Sequence, residues 1–329
     1  MQDVLAPGAT LGVLGGGQLG AMFAQAARRL GYRVAVWDSD SDAPALKIAD
    51  RTFTSLFTDE RSLSEFARCV GAVTYEWENI PVQAASAIER AIPMRPSSRI
   101  LGLLQNRLEQ KTFLADRGFP VAPFRTVSDP DELLATAQAV GFPSICKIAT
   151  AGYDGKGQWR LTDPRGVPAV REVLHQSRQA HSRWIVEQFL PFEKELSVLV
   201  VWGTDGDCRL YPVVENLHEQ AILRATRVPA SIDPERTEQA LHLAASVVRA
   251  LEGVGVFCVE MFLMPDGGLL INEIAPRPHN SGHYTLDACS VSQFEQQVRA
   301  VCGLPLGEVR LLTPAAMVNL LGDDLTCAT

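Results

Sequence analysis

Apolar positions in the first hundred residues fall into short runs alternating with stretches of helical period. Residues 11–14 are continuously apolar and end in Gly15-Gly16-Gly17. Leu19, Met22, Phe23, Ala26, Ala27 and Leu30 then recur at helical spacing until Gly31, so the pattern predicts strand, turn and helix. Residues 33–37 predict a second strand ending at Asp38. Residues 72–75 predict another, running into Glu76-Trp77-Glu78-Asn79. Strands alternating with helices imply a parallel sheet covered on both faces.

Residues 106–117 predict a helix, and Gly118-Phe119-Pro120-Val121-Ala122-Pro123 cannot continue it. Beyond that boundary the pattern changes. Residues 143–148, 158–161, 184–187, 196–202, 210–214, 256–262 and 269–272 predict strands, and 168–177 and 235–251 predict helices. That mixture reads as α+β. Residues 256–262 and 269–272 flank Pro265-Asp266-Gly267-Gly268 and form an expected hairpin.

The chain has 329 residues, room for roughly two domains at about 150 residues each. Its net charge of −8 argues against a nucleic-acid binder held by electrostatics. Seven cysteines are scattered without a CxxC pair or zinc spacing, as expected for buried, reduced thiols. There is no signal-peptide pattern and no run near the roughly 20 apolar residues of a membrane span. A soluble, cytoplasmic chain without a membrane partner is the expectation.

Gly15-x-Gly17-x-x-Gly20, with Asp38 23 residues beyond Gly15, matches the dinucleotide fingerprint in spacing. A glycine-rich helix N-terminus holds an anion more generally, so a phosphate site or a purely structural turn fits equally. Gly152-Tyr153-Asp154-Gly155-Lys156-Gly157-Gln158 is a second glycine cluster, and Lys147 and Lys156 bring positive charge to it. It is either a phosphate-covering hairpin or an ordinary loop. Glu187-Gln188-Phe189-Leu190, followed by Glu193 and Glu195, supplies polar edges and an apolar slot for a base and ribose, or a solvated turn.

The strongest signal is the acid pair Glu260 and Glu273 on the expected hairpin, placed mid-sheet with Asn272 beside them. Sheet carboxylates are costly without a cation, and Mg²⁺ takes one or two carboxylates plus phosphate oxygens and water. Arg277, His279, Asn280, Ser281 and His283 follow in a Pro/Gly-shaped loop suited to a small anion. His175, His181 and His242 read as surface histidines.

On Gly15–Gly20, residues 75–79, residues 152–159, Asn216-Leu217-His218 and residues 272–283, the chain resembles the ATP-grasp superfamily. Within it, the chain resembles the 5-(carboxyamino)imidazole ribonucleotide synthase family. The resemblance implies a Rossmann-like pre-ATP-grasp domain (1–105) and a two-subdomain ATP-grasp module (106–305). An incomplete C-terminal subdomain (306–329) would follow, because no Lys or Arg comes after Arg310, where the family continues with a basic element. It further implies ATP contacts from Arg107, Lys147, residues 152–158, Glu187, Gln188, Phe189, Leu190, Glu195, His218, Asn272 and Glu273. Glu260 and Glu273 would hold Mg²⁺. Gly17, Gln18, Leu19, Glu76 and Glu78 would contact 5-aminoimidazole ribonucleotide, and Arg277, His279, Asn280 and His283 would line the bicarbonate and acyl-phosphate site. The implied reaction is carboxylation through carboxyphosphate, in a homodimer. Another ATP-grasp reaction, such as formate-dependent glycinamide ribonucleotide transformylation, an NAD oxidoreductase, and a nucleotide-binding remnant without turnover are the alternatives.

Overall fold

The computed structural model describes residues 4–150, 157–176 and 183–320, with Gly322. Strands β1 (Thr10–Leu14), β2 (Arg33–Trp37), β3 (Arg51–Phe53) and β4 (Ala72–Tyr75) form a sheet in the order β3-β2-β1-β4. All its pairings are parallel. The apolar runs predict β1, β2 and β4; β3 has two exposed residues of three and leaves no such run. Helix α1 (Gln18–Arg29) turns Leu19, Phe23, Ala24 and Ala27 onto the sheet. The other face is covered by α2 (Glu60–Cys69) and α3 (Val82–Glu89), whose Phe66 and Ile88 pack on Trp37 and Tyr75. A fully buried Phe contributes about 1.5–3 kcal/mol, so Phe23 and Phe66 are principal anchors of the two faces.

Helices α4 (Ser98–Gln105) and α5 (Arg107–Asp116) meet at Asn106. Its side chain accepts from the Leu108 and Glu109 N–H groups, capping α5. A small antiparallel sheet follows: β5 (Phe124–Val127), β6 (Ser144–Ile148), β7 (Gln158–Leu161) and β8 (Trp184–Gln188), in the order β5-β8-β6-β7. Helices α6 (Leu133–Val140) and α7 (Val167–Gln176) cover its back through Leu133, Ala137 and Leu174.

The large antiparallel sheet contains β9 (Lys194–Trp202), β10 (Cys208–Leu210), β11 (Val214–Glu219), β12 (Ile222–Val228), β13 (Gly255–Leu263), β14 (Leu269–Ala275) and β15 (Ala315–Val318). Its order is β14-β13-β9-β11-β12-β15, with β10 on β9. The single strand expected over 210–214 is instead broken. Pro212 lacks the N–H a ladder requires, and β10 ends and β11 begins on either side of Tyr211-Pro212-Val213. Helix α8 (Pro234–Leu251) packs Ala240, Ala244, Val247 and Val248 against Val198, Val200, Val259 and Met261.

Two short helices lie between β14 and β15: α9 (Thr285–Ala288) and α10 (Gln293–Cys302). Helix α10 belongs to both halves. Its Phe294, Val298 and Val301 join the core beneath α1. Buried Gln297 accepts from Val256 N–H at 2.6 Å and donates to Thr74 Oγ1 at 2.7 Å. Gln297 thereby ties the parallel sheet to the large sheet.

Cys146, Cys258, Cys289 and Cys302 are buried free thiols, whereas Cys69 and Cys208 are only half-buried. Among the described residues no helix is long and apolar enough to cross a membrane.

Candidate functional site

Period-two alternation gives the large sheet two unlike faces. Val198, Val259 and Met261 point toward α8. The intervening Ser197 and Glu260 are direct cross-strand partners on the opposite face, as are Glu195 and Asn216. Glu273 lies opposite Glu260 on β14. That strand is the sheet edge and Glu273 is exposed, so the expected mid-sheet position holds for Glu260 alone. A bulge after Glu260 shifts the pairing, so that Met261 faces Ile271. Ile271 and Ile274, three residues apart, both reach the core, and the bulge brings the Asn272 amide to 3.4 Å from Glu260 Oε2.

Burial and the neighbouring Glu273 charge push the Glu260 carboxyl up to about 8. Burial holds His279, 3.2 Å from Glu260 Oε1, down to about 3. His218 and Arg277 act on the Glu260–Glu273 pair from a distance, yet the net push on Glu260 is upward, and a divalent cation between the two carboxyls would offset it. Among the described residues no group of three or more His, Cys, Asp or Glu could hold a metal alone. Mg²⁺ here would therefore complete its shell with ligand oxygens and water.

Across the cleft, Lys111, Ala122, Ile145, Lys147, Glu187, Gln188, Phe189, Leu190, Phe192, Phe262 and Asn272 line one cavity. Glu187 accepts from Lys147 at 2.5 Å and pairs with Lys111 at 3.1 Å. Burial opposes its charge, but the two ammonium groups prevail and draw its carboxyl down to about 2. Lys111 also donates to Ile271 O at 3.2 Å, tying α5 to β14. Lys111 does not stand out in the sequence as a site residue. The available signal was its position beside Gln110, Phe113 and Leu114 on the buried face of α5.

His218 on β11 bonds Glu195 on β9. Burial opposes its protonation, yet the Glu195 bond and charge raise it above the ordinary histidine range. Arg107 donates to Ile148 O at 3.3 Å, beside the end of β6. Gly157 takes a positive φ of 73° and its carbonyl accepts from Ile148 N–H at 2.9 Å. Gln158 pairs with Lys147. Gly152, Tyr153, Asp154, Gly155 and Lys156 lie outside the described residues, as does His181.

Arg277 reaches across the domain junction, with Nε 2.7 Å from Glu78 Oε1. Burial opposes its charge, but Glu78, Glu76 and Glu273 raise it further. His279 Nδ1 meets Ser281 Oγ at 2.8 Å. His283 stands apart from this group: its ring stacks on Phe294 at 5.9 Å, and its buried Nδ1 has no hydrogen-bond partner among the described residues. Asn280 is exposed. Of the three histidines expected at the surface, His242 is exposed and His175 lies half-buried, 3.2 Å from Asp131.

At the glycine turn the backbone N–H groups meet the chain's own carboxylates. Gly16 N–H donates to Asp38 Oδ2 at 2.6 Å, and Gly17 N–H to Glu76 Oε1 at 2.7 Å. Gly20 N–H reaches Glu76 Oε2 at 3.3 Å. Two of the chain's own carboxylates occupy the anion position at this helix N-terminus. A Cβ on Gly17 would lie 2.9 Å from Glu76 Oε1, so glycine is required for the close approach. Asp38, the apparent ribose acid, closes the turn. Gln18 and Leu19 begin α1 beside it.

The ATP-grasp domain model matches residues 112–294, and the ribonucleotide synthetase preATP-grasp domain model matches residues 8–105. The N5-carboxyaminoimidazole ribonucleotide synthase of Bacillus subtilis is 41% identical, over 98% of this chain and 84% of its own. That of Brucella melitensis is 40% identical, over 98% and 88%. Among solved structures, the ADP complex of an N5-carboxyaminoimidazole ribonucleotide synthetase superposes with a TM-score of 0.94. It is 40% identical over 99% of this chain and 85% of its own. The Aspergillus clavatus synthase in complex with ADP and 5-aminoimidazole ribonucleotide gives a TM-score of 0.87, at 32% identity over 97% and 85%.

Proposed function

This chain belongs to the N5-carboxyaminoimidazole ribonucleotide synthase family of ATP-grasp enzymes, and from that premise we propose that it carboxylates 5-aminoimidazole ribonucleotide with ATP and bicarbonate. The observation that carries this reading is the Glu260–Glu273 pair, set between the Lys147–Glu187 cavity and the Arg277–His279 loop. The pair would be the cation site, with the nucleotide slot on one side and the Arg277 guanidinium on the other.

In this reading the adenine enters the cavity beside Phe189, Leu190 and Phe262, while Glu195 and His218 take the ribose side. Lys147 and residues 152–158 receive the phosphates. Glu260, Glu273 and Asn272 would hold Mg²⁺, which when bound offsets phosphoryl charge. Bicarbonate oxygen attacks the γ-phosphorus, the bond to the β-phosphate oxygen breaks, and ADP and carboxyphosphate result. Arg277, held by Glu78, presents a fixed guanidinium to the anion. Carboxyphosphate releases CO₂ and phosphate, and the exocyclic amine of the ribonucleotide captures the CO₂ and loses a proton. Keeping carboxyphosphate away from water is the task of the closed cleft. Gly17, Gln18, Leu19, Glu76 and Glu78 border the ribonucleotide, and His279, Asn280 and His283 the bicarbonate.

The reading includes a cytoplasmic homodimer divided at 1–105, 106–305 and 306–329. Sedimentation velocity checks the dimer. The decisive assay measures ADP release with bicarbonate or formate, with and without 5-aminoimidazole ribonucleotide. Release driven by bicarbonate and stimulated by that ribonucleotide is expected; release driven by formate and glycinamide ribonucleotide would overturn the proposal.

A further inference from the structure

Beneath His279 runs a chain of buried polar side chains that no step above uses. Ser197, Asn216, Thr226 and Ser281 are each at most 7% exposed. They come from β9, β11, β12 and the loop after β14. Thr226 Oγ1 lies 2.9 Å from Asn216 Oδ1, Asn216 Nδ2 lies 2.9 Å from Ser197 Oγ, and Ser197 Oγ lies 2.9 Å from Ser281 Oγ. Ser281 Oγ is 2.8 Å from His279 Nδ1, and His279 Nε2 is 3.2 Å from Glu260 Oε1.

Chemistry gives this chain a direction. An amide oxygen only accepts and an amide nitrogen only donates, so Thr226 donates to Asn216 and Asn216 donates to Ser197. At the far end the Ser281 backbone N–H points at His279 Nδ1 at 3.3 Å, which requires a lone pair there. The Ser281 hydroxyl must then also donate to Nδ1, leaving its oxygen to accept from Ser197. The His279 end sets the order, and the Asn216 amide continues it, from Thr226 through Asn216, Ser197 and Ser281 to His279. The ring proton is left on Nε2, directed at Glu260 Oε1.

We propose that Asn216, acting through Ser197 and Ser281, is a positioning residue that holds His279 in the Nε2–H tautomer. With Glu260 ionised, as cation binding requires, the opposite tautomer would set a ring lone pair against the lone pairs of Oε1. With Nε2–H donating, Oε1 is oriented and Oε2, which accepts from the Asn272 amide at 3.4 Å, keeps its second lone pair for a cation, the outer-shell arrangement found around metal-binding carboxylates. The same set of bonds joins three strands of the sheet to the loop carrying Arg277, so bicarbonate and cation groups are placed together. The consequence for turnover rests on the proposed carboxylation; the tautomer does not.

The test is histidine-selective ¹⁵N labelling of the intact protein, with the His279 signals assigned by their loss in His279→Gln among the six histidines. Long-range ¹H–¹⁵N correlation is expected to show Nε2 protonated and Nδ1 bare in the unaltered chain, a measurement needing no variant at the network. Asn216→Leu and Thr226→Val are expected to let an Nδ1–H form appear, and Thr226→Ser to suppress it again. In Asn216→Leu, kcat for bicarbonate-driven ADP release should fall about 10–100-fold with KM for ATP little changed. A protonated Nδ1 in the unaltered chain, or an unchanged tautomer in folded Asn216→Leu, would overturn the inference. Failure of carboxylation with the tautomer as expected would instead remove the functional reading and leave this one standing.

Discussion

Lys111→Met removes one of the two cations that hold a buried carboxylate. Glu187 is 4% exposed and Lys111 is 5% exposed, so neither is screened by water. The two lysines bring the Glu187 carboxyl from 4.5 to about 2 despite its burial. At about 1.4 kcal/mol per tenfold change, that shift favours the folded state by about 3 kcal/mol, and burial, which pushes the Lys111 ammonium down, takes back part of it. Lys147 remains at 2.5 Å, so the variant keeps part of this and escapes the full 3–5 kcal/mol of a stranded buried charge. Loss of the bond to Ile271 O adds about 1 kcal/mol. The expected destabilisation at pH 7 is about 2–3 kcal/mol, read as a fall in urea midpoint at unchanged slope. The sign with pH follows from the depressed carboxyl: its contribution is complete above 4.5 and is lost as pH falls through about 2. The gap between parent and variant should therefore narrow across that window. A gap that stays constant with pH, or a coupling below about 0.5 kcal/mol in the cycle with Glu187→Gln, would refute the reasoning.

Glu273→Gln should raise the Mg²⁺ concentration for half-maximal ADP release beyond the about 10–100-fold typical of outer-shell changes, measured by magnesium titration at saturating ATP. Because Glu260 is pushed up to about 8, protons compete with the cation. Magnesium affinity should weaken about tenfold per pH unit below that value, read by calorimetry with an ATP analogue. Arg277→Lys keeps the charge but loses the planar fork and the fixed contact to Glu78. It should lower kcat/KM for bicarbonate by about 10²-fold while nucleotide affinity, measured by equilibrium dialysis, changes little.

The acid pair was legible because a turn between two apolar runs places residues 260 and 273 near each other whatever the rest of the fold does. The bulge that turns Asn272 inward was not, since a change of register leaves no mark in hydrophobic alternation. Lys111 was overlooked for a similar reason: a lysine on a helix reads as solvated until its carboxylate, 76 residues away in Glu187, is in place. Strand β11 was hidden by Glu215, His218 and Glu219, which break its apolar run but face the cleft and solvent. The glycine turn was located correctly, yet its occupant was set by Glu76, 59 residues beyond Gly17. Local pattern locates a motif; the side chain that arrives from another strand decides what it binds.

That last point bears on inhibitor design. A dinucleotide mimic aimed at Gly15–Gly20 would find its amides already taken by Asp38 and Glu76, and its phosphates would meet two tethered anions. The same rim is receptive to compounds of opposite polarity, such as amines and amidines. Charge at the turn would then set this site apart from nicotinamide-binding turns of the same glycine spacing.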